Sequence, residues 1–137
     1  NYAMSLLRYR TGDIVTLTNE TKCLCGRNFP LIKSIEGRTD DMLMTSKGDY
    51  IGSASMSVVF ELVNNIQEVQ IIQNKMDEFI VKVVKLENFN KYDLNLLIDR
   101  LKERLGNKVS IKVVFVNQIK RTRAGKFRFI ISNIIDK

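Results

Sequence analysis

The sequence has no histidine, no tryptophan, one proline and two cysteines among its 137 residues. Without histidine, neither a serine–histidine nor a cysteine–histidine pair can form a nucleophilic site within this chain. No apolar run reaches the roughly 18–20 residues that span a bilayer, and no signal-peptide pattern is visible. With so few cysteines, a reduced environment fits best. We therefore expect a cytoplasmic protein that does not bind a membrane.

The two cysteines, Cys23 and Cys25, stand one residue apart. Neighbours this close do not easily form a disulfide of normal geometry. A structural zinc site needs four ligands, and this chain offers two thiols and no imidazole. Two interpretations stay open: a pair of inert thiols, or a metal half-site completed elsewhere in the complete protein. For this chain alone we expect no bound cofactor and no stoichiometric zinc.

Positive charge dominates the sequence, with 22 lysines and arginines against 15 acidic residues and a formal net charge of +7. Apolar residues make up 45% of the chain, enough for a core. The densest basic cluster consists of Lys120, Arg121, Arg123, Lys126 and Arg128. Such a cluster is typical of a nucleic-acid or phosphate site, and equally of a solvated loop.

The order of periodic segments after residue 40 predicts an α+β domain. A first helix has Ser53 or Ser55 as its candidate N-cap, and a second runs from a cap at Asn90 to a stop at Gly106. Residues 127–131 are compatible with a last strand or a helical turn. Strand, helix, strand, strand, helix, strand is the order of a ferredoxin-like two-layer sandwich. The predicted strands lie at 41–45, 69–72, 79–86 and 109–116.

Three short motifs together resemble the end of the adenylate-forming enzymes, the superfamily of acyl-CoA synthetases. They are Tyr9-Arg10-Thr11-Gly12-Asp13, Gly37-Arg38-Thr39-Asp40-Asp41 and Arg121-Thr122-Arg123-Ala124-Gly125-Lys126. The run from Leu7 to Asp13 and the segment 23–27 are similar to the phenylacetate–CoA ligase branch and its CapK-type relatives. The resemblance covers nearly the whole chain.

This resemblance implies a domain order. Residues 1–35 would be a β-rich remnant of a large N-terminal domain, 36–40 a hinge, and 41–137 a mobile C-terminal domain with the ferredoxin-like fold. The complete enzyme would use ATP and Mg²⁺ to activate a carboxylic acid, expected to be an aryl acid, as the acyl-adenylate. It would then transfer the acyl group to coenzyme A. Its partners would be these small molecules and its own N-terminal domain, with a homodimer left open. The fragment alone is expected to be inactive.

The resemblance also assigns roles to individual residues. Lys126 matches the lysine that stabilises negative charge during adenylation. Asp13 matches the aspartate that binds both ribose hydroxyls, and Arg38 an arginine that reaches the ribose or phosphates. Asp40 matches the hinge residue, and the turn Lys47-Gly48 stands where relatives line the coenzyme A channel. Each position also has an ordinary interpretation, as a solvated side chain or a turn residue.

Two departures weaken the coenzyme A part of this hypothesis. Residues 49–53 differ from the usual apolar, proline-containing segment of the branch, and Ser5 stands where proline is expected. An adenylating enzyme with another acceptor, in capsule synthesis, is therefore an alternative. The alternative from another class is a basic ferredoxin-like module that binds nucleic acid or a regulatory ligand without catalysis. The strand-like run 78–85 contains one aromatic residue and no glycine, which argues against an RNA-stacking surface.

Overall fold

A computed structural model describes residues 9–134, and the chain divides into two units, Asn1–Thr39 and Asp40–Lys137. The division falls within the segment 36–40 that the sequence predicts as a hinge. Whether this segment acts as a hinge stays a prediction. Ser5 and the start of the motif at 7–13 lie outside the described residues. Among residues 9–134, neither α-helix is long and apolar enough to cross a membrane.

The first unit contains an antiparallel hairpin of β1 (Asp13–Leu17) and β2 (Ile32–Arg38). Its register places Asp13 opposite Arg38. None of residues 9–39 is buried, and the hairpin exposes large apolar side chains such as Leu17 and Ile35. A lone two-stranded hairpin is marginally stable in water. The described part of this unit therefore lacks a core of its own.

The second unit combines two helices with six strands among its described residues. A short 3₁₀ turn, Thr39–Asp41, leads into it. The elements that follow are β3 (Met42–Met44), β4 (Tyr50–Gly52), α1 (Ser53–Glu61), β5 (Ile66–Lys75), β6 (Glu78–Lys85), α2 (Lys91–Leu105), β7 (Ser110–Phe115) and β8 (Ile130–Ser132).

Four of these strands form one mixed sheet in the order β7-β6-β5-β8. The β5–β6 hairpin is antiparallel, whereas β7 runs parallel to β6 and β8 parallel to β5. The α+β domain predicted from the sequence is confirmed in its four-stranded sheet and two helices, although the sheet is mixed and not antiparallel throughout. The ferredoxin-like detail is not confirmed, because that topology separates the strands of each βαβ unit, whereas here β6 and β7 are direct neighbours. The predicted first strand is only three residues long and pairs with β4 outside this sheet.

Of the two predicted helix N-caps, the structure confirms the one at α2 and contradicts the one at α1. Asn90 caps α2 as predicted: its side-chain oxygen accepts hydrogen bonds from the backbone N–H groups of Tyr92 and Asp93, and the Asp93 carboxylate accepts one from the Asn90 backbone N–H. At α1 the N-cap is Gly52, which makes no side-chain hydrogen bond. The prediction of Ser53 or Ser55 as cap was therefore wrong, because Ser53 is already the first helical residue. The undecided segment 127–131 ends in strand β8.

The core lies between the two helices and one face of the sheet. Leu97, Leu101 and Leu105 of α2 are buried against it, as their helical spacing predicts. Strands β5 and β6 contribute alternate residues, since successive side chains point to opposite faces. The other core members include Met56, Val59, Val69, Ile71, Phe79, Val81, Val83 and Ile130.

A fully buried glutamine, Gln73, joins the β3–β4 hairpin to the sheet. Its side-chain oxygen accepts a hydrogen bond from the Met44 N–H at 2.9 Å, and its amide donates to the Met44 carbonyl at 2.6 Å. Ser132 also donates to the Gln73 oxygen, at 3.3 Å. The glutamine therefore replaces the backbone partner that β3 lacks on this side.

We expect Gln73→Leu to lower the free energy of unfolding by about 2–4 kcal/mol, because two backbone groups of Met44 lose their partner. Urea unfolding followed by circular dichroism measures this change. Gln67→Leu is the matched control, since Gln67 is an exposed glutamine of the same strand. Equal effects of the two substitutions would contradict the role given to Gln73.

Candidate functional site

Asp13 and Arg38 form an ion pair at the open end of the β1–β2 hairpin. The Arg38 Nε lies 3.5 Å from Asp13 Oδ1, and the side chains are 69% and 31% exposed, respectively. Gly12, with φ +76°, accepts hydrogen bonds at its carbonyl from the Thr39 N–H (2.8 Å) and the Thr39 Oγ1 (3.2 Å). An exposed pair of this kind contributes little stability. The hairpin register thus brings together two predicted nucleotide-binding residues at an accessible position.

Lys126 ends a tight turn, Thr122–Lys126, in the second unit. Three hydrogen bonds close it: Thr122 N–H to Lys126 O at 2.9 Å, Gly125 N–H to Thr122 O at 2.8 Å, and Lys126 N–H to Thr122 Oγ1 at 3.0 Å. Gly125 has φ +76°, a conformation that glycine adopts without strain. Lys126 is exposed and makes no ion pair within residues 9–134. The turn therefore fixes the backbone of Lys126 and leaves its ammonium exposed to solvent.

The turn Thr45–Asp49, which contains Lys47, has the same hydrogen-bond pattern. Thr45 N–H donates to Asp49 O (2.9 Å), Gly48 N–H to Thr45 O (2.9 Å), and Asp49 N–H to Thr45 Oγ1 (3.1 Å). Gly48 has φ +86°. The signal common to both turns, a threonine three residues before a glycine, is visible in the sequence. Lys47 is exposed beside this glycine.

The hinge residue assigned by resemblance, Asp40, follows the first unit directly. Its side chain lies outside what the structure describes, so its role stays a prediction. The candidate residues are divided between the units: the ion pair belongs to the first, and both glycine turns to the second.

Two further side chains, which the sequence did not single out, contact the segment around Lys126. Glu68 of β5 forms an ion pair with Arg121, and Gln70 of the same strand donates a hydrogen bond to the Arg128 carbonyl at 2.8 Å. The partners stand 53 and 58 residues apart in the chain. No local pattern reveals such distant contacts.

The cysteines form a close pair in an exposed turn. The sulfurs of Cys23 and Cys25 lie 2.8 Å apart, and the Gly26 N–H donates to the Cys23 carbonyl at 2.9 Å. The Cys23 thiol holds the pKa of Cys25 below its usual value, and the backbone N–H of Arg27 adds to this effect. No group of three or more potential metal ligands occurs within residues 9–134. In the described part of the chain, the pair can supply at most half of a tetrahedral site.

We expect Cys23→Ala to raise the pKa of Cys25, because it removes the largest cause of the lowered value. The thiolate reacts with iodoacetamide and the thiol does not. The midpoint of the alkylation rate against pH should therefore move upward relative to the unaltered protein, with Cys25 followed by peptide mass spectrometry. Leu24→Ala is the control, since it leaves both sulfurs in place. An unchanged midpoint in Cys23→Ala would refute the coupling.

Comparisons with known proteins identify a family, two curated proteins and a solved structure that are similar to this chain. Residues 43–133 match the family model described as the CapK C-terminal domain. Protein CapK of Staphylococcus aureus is 35% identical over 131 residues, which cover 94% of this chain and 29% of that protein. Phenylacetate-coenzyme A ligase of Thermus thermophilus is 31% identical over 151 residues, covering 94% of this chain and 34% of that protein. The chain thus spans about a third of the length of these curated relatives.

One solved structure, from studies of fatty acyl-adenylate ligases of E. coli and L. pneumophila, is similar with a TM-score of 0.55. The sequence identity is 20%, and the match covers 86% of this chain and 20% of that one. This likeness concerns the fold.

Proposed function

The chain belongs to the CapK C-terminal domain family, on the phenylacetate–CoA ligase branch of the adenylate-forming enzymes, and we propose that it delivers the adenylation lysine of a larger acid–CoA ligase. The observation that carries the proposal is Lys126, which is exposed on a hydrogen-bonded turn and makes no ion pair within residues 9–134. In the proposed enzyme, residues 1–35 end the large domain and residues 41–137 form the mobile one. A non-catalytic basic module is not favoured, because it would leave the family match unexplained.

The proposed first step joins two anions. A carboxylate oxygen of the acid forms a bond to the α-phosphorus of ATP, the bond from that phosphorus to the bridging oxygen breaks, and pyrophosphate leaves. Charge develops on the phosphoryl oxygens in the transition state. A fixed ammonium that interacts more strongly with this state than with bound ATP accelerates the step. Lys126 supplies that ammonium.

Asp13 and Arg38 would bind the nucleotide. Arg38 contacts one carboxylate oxygen of Asp13 through Nε, which leaves the other oxygen to accept a hydrogen bond from a ribose hydroxyl. The remaining guanidinium N–H groups suit a phosphate or ribose oxygen. Magnesium would accompany ATP, but residues 9–134 offer no cluster of three ligands for it.

In the second proposed step the coenzyme A thiolate forms a bond to the acyl carbon, the bond from that carbon to the phosphate oxygen breaks, and AMP leaves. Rotation at Asp40 would carry Lys126 away and bring the Thr45–Asp49 turn to the acyl-adenylate. Support for this role comes from the exposed Lys47 and from Gly48, where an added Cβ would meet no atom within 4 Å. An open glycine next to a cation suits close approach of a pantetheine chain and its phosphates. A different acceptor stays an alternative because residues 49–53 depart from the pattern of the branch.

We expect Lys126→Ala in the complete ligase to slow adenylation on the order of a hundredfold, because the cation acts on transition-state charge. Binding of ATP should change much less. Single-turnover adenylation with an acid selected from aryl and alkyl carboxylates measures the effect. Thioester formation from preformed acyl-adenylate should persist, since Lys126 takes no part in that step.

Lys120→Ala is the matched control, because Lys120 is an exposed lysine of the same loop. It should leave both half-reactions within about twofold of the unaltered enzyme, as expected for a solvated side chain. Equal losses in both half-reactions of Lys126→Ala would indicate a structural role. An unchanged adenylation rate would eliminate Lys126 as the catalytic group.

A further inference from the structure

We propose that Glu68 and Gln70, two residues of strand β5, are positioning residues that hold the Lys126 turn from both sides. The inference rests on the function proposed for Lys126. In this proposal the four-stranded sheet, and not the turn alone, determines where the Lys126 ammonium lies. Neither residue would contact ATP or the acid.

The first support holds the chain before the turn. The Glu68 carboxylate pairs with the Arg121 guanidinium, and their side chains are 27% and 41% exposed. The same guanidinium lies over the Phe127 ring, with its carbon 4.5 Å from the ring centroid. Arg121 therefore links β5 to the residue that directly follows Lys126. Because its charge is balanced by Glu68, Arg121 is less suited than Lys126 to bind a phosphate.

The second support holds the chain after the turn. Gln70 is only 4% exposed, and its amide donates to the Arg128 carbonyl at 2.8 Å. The Ile71 N–H then donates to the Phe129 carbonyl at 2.8 Å, where the ladder between β5 and β8 begins. A buried amide deprived of its partner is costly. This side of the turn is therefore fixed to the sheet by consecutive contacts.

The topology explains why such supports are needed. Strands β7 and β8 occupy opposite edges of the sheet, so their connection crosses the end at which β5 begins. Glu68 and Gln70 are two residues apart on β5, hence on one face and roughly 7 Å from each other. Ile119 is the buried residue that anchors the start of the connection between Phe115 and Ile130, whereas residues 120–127 are exposed, and exposed connections are usually mobile. A catalytic group must be held much more tightly, since a displacement of about 1 Å can cost up to a hundredfold in rate.

The test uses Glu68→Gln in the complete ligase, since Gln70 is buried and its replacement could unfold the domain. The substitution keeps the side-chain size and removes the charge that holds Arg121. We expect single-turnover adenylation to fall about tenfold, and thioester formation from preformed acyl-adenylate to stay unchanged. Glu78→Gln is the matched control: it breaks an ion pair with Lys75 at the opposite end of the same hairpin, and should leave adenylation unchanged.

A double-mutant cycle separates positioning from general destabilisation. In a Lys126→Ala background, Glu68→Gln should cause no further loss of adenylation, because there is no ammonium left to position. A merely structural role predicts the same tenfold loss in both backgrounds.

Limited trypsin digestion gives a measurement that does not depend on activity. Cleavage after Arg123 and Lys126 should become about tenfold faster in Glu68→Gln and stay unchanged in Glu78→Gln, because the released turn enters the protease more readily. If Lys126→Ala leaves adenylation intact, the proposed function fails, while digestion still decides whether Glu68 holds the turn. Suppose instead that Lys126→Ala slows adenylation, whereas Glu68→Gln leaves either the adenylation rate or the digestion rate unchanged. The positioning inference is then overturned, and the proposed function of Lys126 stands.

Discussion

The hydrogen bonds that Thr122 makes with Gly125 and Lys126 close the turn on which the proposed chemistry depends. They define the backbone beneath the ammonium, but a turn at the end of a long connection has no fixed place by itself. Its place comes from β5, whose inward side chains belong to the core and whose outer face carries Glu68 and Gln70. The position of the Lys126 ammonium thus depends on the turn, and the position of the turn depends on the contacts with Glu68 and Gln70. Those contacts depend in turn on the packing of β5 against the core.

The two units differ in packing, and in the proposed function they also differ in chemistry. Residues 40–134 contain the buried core, whereas the described hairpin of the first unit has none. In the proposed enzyme the hairpin carries the nucleotide-binding pair, Asp13 and Arg38, and the second unit carries the cation. Separating these groups at Asp40 would let the lysine leave after adenylation while the nucleotide contacts remain. Weakly packed segments are suited to surfaces that complete their contacts with another domain.

Local features were predictable from sequence, and distant pairings were not. The second helix followed from the spacing of Leu97, Leu101 and Leu105 and from the cap at Asn90, because both signals lie within the helix. Sheet order depends on pairing between β5 and β8, whose partners are about sixty residues apart in the sequence, and no periodicity encodes it. For the same reason Glu68 was missed, since Arg121 is 53 residues away. The Asp13–Arg38 contact required the hairpin register, although each residue was identified by its motif.

The most direct test of the account is lysine labelling of the complete ligase in the state that precedes adenylation. With Mg²⁺, the acid and the α,β-methylene analogue of ATP, which cannot release pyrophosphate, the enzyme should stay in this state with Lys126 beside the α-phosphate. An amine-acylating reagent, read by peptide mass spectrometry, should then modify Lys126 at least about tenfold more slowly than in the free enzyme, because a paired ammonium loses its proton less readily. Lys120 and Lys108 should be labelled equally in both states. Unchanged labelling of Lys126 would show that this cation never meets the reacting phosphate.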